Sequence, residues 1–342
     1  MSASTSDPGT LRIAIQSCDA TYGCAPDDTL LGAGLRAGLG IPYECGVGAC
    51  GTCKFELLDG EVAALRQDAP GLSARDRAKG RWLACQSRPL GDCVIKLRLD
   101  EAAKPVIAPR RRRANLLAAI PLTHDITEFR FRADDGADFL AGQYALLALP
   151  GVQGARAYSM SNLANGEGEW HFQVRLVPDG AATGALFTLS PGAAIGLDGP
   201  YGMAYLRPPD ERDVVCIAGG SGLAPMISVA RGFARQAPPG RSLRFFYGAR
   251  APRDVCGEAL LRELPGYGER ITYHASVSAD QDGGWPGHRG FVHQLVDEVL
   301  GSGLADCEIY LAGPPPMIES VEALLREVHQ VPPERLHYDR YF

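Results

Sequence analysis

The chain has 342 residues, 46% of them hydrophobic and 22% charged, with a net charge of −6 at pH 7. That length calls for two or three domains, and the acidic balance excludes a chain built as a whole to hold nucleic acid. The opening, MSASTSDPGT, lacks the basic and apolar regions of a secretory signal. The apolar uncharged stretch at residues 214–230 is broken by three glycines and a proline and is shorter than a membrane span of about 20 apolar residues. A cytoplasmic protein with no membrane segment is expected. In a reducing compartment its ten cysteines are not expected to form a disulfide framework.

Taken in chain order, LRIAIQS, CKFELLDG and CVIKLRL read as short strands in the first hundred residues. TLLGAGLRAGL between them reads as a helix, with Asp28 or Thr29 placed to cap it. EAAKPVIAPRRRR, residues 101–113, reads as a solvated basic linker. Residues 114–207 carry ANLLAAIPL, EFRFRAD, QYALLALP, EWHFQVRLV and AAIGLDGP. These are strands separated by turn signals, and they predict a small antiparallel barrel. After RPPDERD, strands and helices alternate: DVVCIAGG, LRFFYGA, RITYHASVS and CEIYLAG against APMISVARGFARQ, FVHQLVDEVL and PPMIESVEALLREVHQ. That alternation predicts a parallel α/β sheet over residues 208–342.

Cys45, Cys50 and Cys53 form C-x4-C-x2-C in YECGVGACGTC, and Cys85 follows in RWLACQSRP. This is the spacing of a plant-type [2Fe–2S] cluster, in which four thiolates hold two irons. Glycine and alanine between the ligands let the backbone fold tightly and aim N–H groups at sulfur. A zinc site would pair its ligands twice, and a redox dithiol would leave Cys45 unexplained. Cys93, Cys216 and Cys307 lie in predicted strands and read as buried small hydrophobes.

Five further motifs follow. RAYSMSN supplies Arg156, Ala157, Tyr158 and Ser159: a guanidinium able to pair with phosphate, a flat ring and a small hydroxyl. PDGAATGALF leads into a helix through Thr183. CIAGGSGLAP ends a strand with Gly219, Gly220 and Gly222, followed by Pro225, a glycine turn suited to close approach by a nucleotide pyrophosphate. YLAGPPPM carries Ala312, Gly313 and Pro314, and the chain ends LHYDRYF with Tyr341 and Phe342.

With these motifs in this order, residues 11–98 resemble a plant-type ferredoxin and the remainder resembles the ferredoxin–NADP reductase superfamily. The whole resembles the NADH reductase components of bacterial multicomponent oxygenases. PYEC, ELLDGEV, DAPGLSARD, LACQ and DRYF are similar to the toluene-type monooxygenase reductases, while PLTHDI and GMAYLR resemble reductases of Rieske aromatic-ring dioxygenases. The resemblance implies a β-grasp ferredoxin over residues 1–100, an FAD barrel over 114–207 and a nucleotide domain over 208–342. It implies FAD, a [2Fe–2S] cluster and NADH as cofactors, with NADPH less favoured. It implies an oxygenase hydroxylase component or a Rieske-type ferredoxin as partner.

By the same resemblance, Ser159 stands near the flavin N5, and Thr183 caps its helix and holds the pyrophosphate. Tyr341 or Phe342 stacks over the flavin. Ala312 stands where relatives carry a cysteine beside the hydride path, and it is expected to leave the nicotinamide less firmly seated. Arg250 and Arg253 follow the second strand of the last segment, where arginine accepts the 2′-phosphate of NADPH and an acid favours NADH. No histidine shows metal spacing, as expected where cofactors carry the chemistry. A reductase of deoxysugar biosynthesis shares this domain order. A redox-sensing interaction protein is a reading from another class, and it predicts little NADH turnover.

Overall fold

The structure, a computed structural model, describes residues 9–208, 211–280 and 283–341. Contacts divide the chain into two compact units. The first is Met1–Arg111 with Gly154–Ala157 and Asp198–Tyr201; the second is the remainder.

The first unit opens with the hairpin β1 (Leu11–Ile15) and β2 (Ala20–Cys24) and the helix α1 (Leu30–Arg36). Thr29 caps α1, its Oγ1 accepting the Gly32 N–H at 3.0 Å. The unit continues through β3 (Lys54–Asp59), β4 (Val62–Ala64), α2 (Ala74–Ala78), β5 (Arg81–Leu83), β6 (Ser87–Pro89) and β7 (Cys93–Lys96). The sheet order is β2-β1-β7-β3-β5. The last strand enters the middle, parallel to β1 and antiparallel to β3, and α1 buries its apolar side. This is the expected β-grasp ferredoxin architecture. The sequence reading had missed β2, β4, β5 and β6. A strand of three residues is too short to show period-two patterning. The capping box Ser73–Asp76 that starts α2 is in the sequence as Ser-x-x-Asp.

The second unit carries most of a six-stranded sheet in the order β11-β10-β13-β8-β9-β12, the ends of β8, β11 and β13 being counted with the first. Its strands are β8 (Arg110–Pro121), β9 (Ile126–Ala133), β10 (Tyr144–Ala148), β11 (Arg156–Ser159), β12 (Glu169–Arg175) and β13 (Ala194–Tyr201), with α3 (Ala181–Phe187) between β12 and β13. The outermost strands meet, because Met160 just past β11 bridges Phe172 of β12. That contact closes the sheet toward a barrel and removes its edges. Trp170, Phe129, Phe131 and Phe172 fill the interior. β8 takes in residues 110–113 of the expected linker. Two of those arginines are engaged within the fold: Arg111 with Asp27 at 2.8 Å, and Arg112 with Asp135 at 2.8 Å.

The second unit also holds a parallel sheet of order β17-β16-β15-β14-β18-β19. These strands are β14 (Val214–Gly219), β15 (Leu243–Ala249), β16 (Ile271–Val277), β17 (His288–Arg289), β18 (Glu308–Gly313) and β19 (Leu336–Arg340). The helices are α4 (Leu223–Gln236), α5 (Glu258–Arg262), α6 (Val292–Leu300) and α7 (Pro315–Ala323). β14 is buried along its whole length: Val214, Cys216 and Ala218 face one apolar layer, Val215 and Ile217 the other. A strand covered on both faces reads as a continuous apolar run. The order reverses between β14 and β18, so the loops after these two strands open the crevice where such sheets bind ligands. Among the described residues no helix is long and apolar enough to cross a membrane.

Candidate cluster, flavin and nucleotide sites

The four cysteines come together as two pairs. Cys50 lies against Cys45, and Cys53 Sγ and Cys85 Sγ lie 3.3 Å apart, within hydrogen-bond reach. Cys45, Cys53 and Cys85 are buried and Cys50 is partly exposed. Backbone N–H groups of Ala49 and Cys50 reach Cys45 Sγ at 3.3 and 3.4 Å, and that of Thr52 reaches Cys50 Sγ at 3.5 Å. The loop achieves this with left-handed glycines. Gly48 has φ +83° and Gly51 φ +79°, and a Cβ on Gly51 would stand 2.5 Å from the Gly71 carbonyl.

Within each pair the shared hydrogen bond drives the thiols apart. Cys50 is lowered to about 5 by its bond to Cys45, while the same bond, with burial, raises Cys45. Cys53 is lowered by its bond to Cys85, which is raised. Among the described residues no three His, Cys, Asp or Glu side chains converge on one metal position. Two thiol pairs served by N–H donors suit two irons, so the residues present fit a [2Fe–2S] cluster.

β11 presents the flavin motif. Arg156 is exposed and turns back on the Ala155 carbonyl at 3.1 Å. Ala157 is half-buried and Tyr158 packs on the barrel core. Ser159 is buried and its hydroxyl donates to Asp339 Oδ2 at 2.8 Å. The Tyr341 hydroxyl lies 3.3 Å from Ser159 Oγ and 3.4 Å from the Ser221 carbonyl, so one side chain spans the flavin motif and the first nucleotide loop. Burial pushes the Tyr341 phenol up and keeps it neutral. Phe342 lies outside the described residues.

Thr183 does not cap its helix. Gly180 is the N-cap, and Thr183 stands in the first turn with Oγ1 accepting the Val177 N–H at 3.2 Å. Its hydroxyl ties down the preceding loop. A buried hydroxyl, a carboxylate and a neutral phenol converge here, a polar set that fits the edge of an isoalloxazine.

The glycines after β14 divide by role. A Cβ on Gly222 would stand 2.0 Å from the Ala312 carbonyl, and one on Gly219 would stand 2.4 Å from Met317 Sδ. These two let the loops after β14 and β18 close on each other. Gly220, at φ +57°, has the Arg175 guanidinium 3.0 Å from its would-be Cβ, and its carbonyl accepts from Tyr247 at 3.2 Å. Pro225 sits in the first turn of α4, where its missing N–H costs nothing. Ala312 is fully buried in the core layer on which Tyr341 packs. Pro314 caps α7 and Gly313 accepts the Tyr341 N–H at 3.3 Å.

Sequence reading missed Asp339 and Arg175. Asp339 lies within the quoted DRYF ending, but only the fold brings it to Ser159. Arg175 ends a barrel strand and lies 3.0 Å from Asp125 without the alignment of a hydrogen bond.

A cluster loop, a flavin strand and a nucleotide crevice on one chain define an NAD(P)H-dependent flavo-iron–sulfur reductase. Residues 13–90 match the 2Fe-2S iron-sulfur cluster binding domain, 113–205 the oxidoreductase FAD-binding domain, and 216–323 the oxidoreductase NAD-binding domain. The ferredoxin–NAD(P)+ reductase CarAd of Metapseudomonas resinovorans is 41% identical over 324 residues, 93% of this chain and 96% of that one. The ferredoxin–NAD+ reductase component of the Xanthobacter autotrophicus alkene monooxygenase system is 38% identical, over 94% and 98%. The solved ferredoxin reductase in carbazole 1,9a-dioxygenase superposes with a TM-score of 0.91 at 37% identity, covering 97% of this chain and 98% of that one. The chain belongs to the ferredoxin–NAD(P)+ reductase family, in the branch that serves as reductase components of oxygenase systems.

Proposed function

We propose that this protein oxidises NADH and delivers single electrons through its thiol-ligated cluster to an oxygenase component or to that oxygenase's ferredoxin. The observation that carries the reading is the convergence of Ser159, Asp339 and Tyr341 at the first nucleotide loop, on a chain that also holds two thiol pairs. Bound FAD would take electrons from the nicotinamide in pairs and pass them singly to a [2Fe–2S] cluster.

The chain's own residues position and screen. Cys45, Cys50, Cys53 and Cys85 are assigned as the cluster ligands. Arg156, Ala157, Tyr158 and Ser159 are assigned to the flavin, with Thr183 fixing the loop that meets its pyrophosphate. Ser159 holds a hydroxyl proton toward Asp339 and is thereby fixed for a hydrogen bond at the flavin's reactive edge. Tyr341 covers the site and excludes water. Gly219, Gly220, Gly222, Pro225, Ala312, Gly313 and Pro314 shape the nucleotide crevice, and Arg175 is added as a pyrophosphate contact through charge-assisted bonds. The proposed division is a cluster domain over residues 1–100, a connector over 101–113, a flavin domain over 114–207 and a nucleotide domain over 208–342, working in the cytoplasm.

NADH is the proposed donor, supported by the NAD+ in the name of the alkene monooxygenase relative. Arg250 and Arg253 are exposed beyond β15 and offer NADPH a weaker alternative. Steady-state reduction of cytochrome c tests the reading. A kcat/KM for NADH well above that for NADPH is expected. A large NADPH preference overturns the choice of donor, and negligible turnover with either overturns the function.

A further inference from the structure

The first hundred residues are nearly neutral, with 11 Lys and Arg against 12 Asp and Glu, but the charges are sorted. A groove of about 540 Å³ on the outer face of β3, β5 and β7 is lined by Lys54, Arg81, Lys96 and Arg98, with Glu56 as its one acid. The sheet register sets Arg81, Glu56 and Lys96 in one row across three strands. Period-two alternation then carries Lys54 and Arg98 to the same face. Glu56 is spread thinly between two cations, at 3.7 Å from each. Asp76 holds Lys54 and Arg81 at 2.9 and 3.0 Å from below. Lys96 is 57% exposed, and Arg98 is exposed with no ion pair among the described residues. Positive charge is left over, facing solvent.

The groove adjoins the cluster loop. Lys54 follows Cys53 in the chain, and its Cε lies 3.1 Å from where a Cβ on Gly51 would stand. Arg81 starts the strand that leads to Cys85, and the Ala84 N–H bonds the Cys53 carbonyl at 2.9 Å. On the other side of Arg81 a second hollow of about 220 Å³ is lined by Arg66, Arg77 and Gln86 and by no acid. A cationic surface therefore lies beside the cysteine loop on a chain that is acidic overall.

We infer that this groove docks an acidic segment of the protein that receives electrons from the cluster. The inference rests on the proposed reading of the cluster as the electron exit. It adds the partner's chemistry: carboxylates that pair with Lys96 and Arg98. Such contacts at an exposed rim act mainly on association rate and are screened by salt.

The test uses the full protein, NADH, and two haem acceptors of opposite charge: the acidic haem domain of cytochrome b5 and basic cytochrome c. Each takes one electron from the reduced cluster to its ferric iron. Reduction of cytochrome b5 is expected to slow steeply as salt rises from about 10 to about 200 mM. Lys96→Glu with Arg98→Glu is expected to slow it by at least about tenfold at low salt and to flatten the salt dependence. Cytochrome c is not slowed, flavin reduction by NADH is unchanged, and Arg235→Glu, an exposed charge reversal in the other unit, leaves the cytochrome b5 rate intact. Polyglutamate should compete in the parent protein. Competition by a duplex oligonucleotide and not by polyglutamate overturns the acidic-protein assignment. A cytochrome b5 rate indifferent to salt and to the double variant, with the cluster still reduced by NADH, overturns the groove and leaves the function standing. A cluster that NADH does not reduce overturns the function itself.

Discussion

Ser159 and Asp339, 180 residues apart in the chain, share a hydrogen bond of 2.8 Å between a barrel strand and the last strand of the nucleotide sheet. The bond fixes the hydroxyl on which the proposed hydride site depends. Ser159→Ala should slow flavin reduction by NADH by about tenfold or more, the equivalent of one charge-assisted hydrogen bond of roughly 1.5–3 kcal/mol. Asp339→Asn should have a smaller effect in the same direction. If the two act as a unit, the double variant will be less damaging than the sum. Stopped-flow rates at saturating NADH check this, and additive effects would separate the two residues.

Cys85 is the distant member of the thiol set, and its removal isolates the cluster from the flavin. Cys85→Ala should abolish the iron–sulfur absorption with FAD retained. It should leave ferricyanide reduction by NADH near the parent level and bring cytochrome c reduction close to zero. Iron analysis and the two acceptor assays distinguish this from global misfolding, in which both activities fall together.

The contrast between these two sites shows what a sequence carries. Three of the cluster ligands fall within nine residues, so the chemistry is local and the spacing exposes it. The helix at residues 30–36, the barrel strands and the doubly buried β14 were legible for the same reason, since periodicity and apolar runs are short-range signals. Asp339 carried no local mark, because its partner lies on another sheet. The glycines after β14 were legible as glycines, but the reason for two of them was not. Gly219 and Gly222 answer to Met317 and Ala312, roughly ninety residues on. The resemblance gave Thr183 as the cap of its helix, and only the backbone shows that Gly180 takes that place.

Asp76 couples the cluster domain to pH. Its carboxyl is held well below the usual carboxylate range, first by Lys54, then by Ser73 and Arg81. A depressed folded-state pKa gives stability that is present above the unfolded pKa and lost as pH falls through the folded one. Asp76→Asn should therefore lower the melting temperature of the cluster domain at neutral pH. The gap to the parent should narrow as acid protonates the parent's own carboxyl. Melting curves from pH 7 downward check the sign, and a gap that widens in acid would contradict it.

Ala312 stands where the resemblance expects a cysteine, fully buried in the core layer on which Tyr341 packs. Ala312→Cys should tighten NADH binding and speed flavin reduction several-fold, by placing a larger polarisable side chain against the nicotinamide path. Unchanged rapid-mixing kinetics would mean that position 312 does not seat the nicotinamide.

In the proposed function one chain carries electrons from NADH through a flavin to a cluster held by Cys45, Cys50, Cys53 and Cys85. An anaerobic titration of the purified protein with NADH, followed by visible absorption, tests it most directly. Flavin and [2Fe–2S] bands that both bleach are the predicted result. A colourless protein containing zinc, or a flavin that bleaches beside a cluster that stays oxidised, would contradict it.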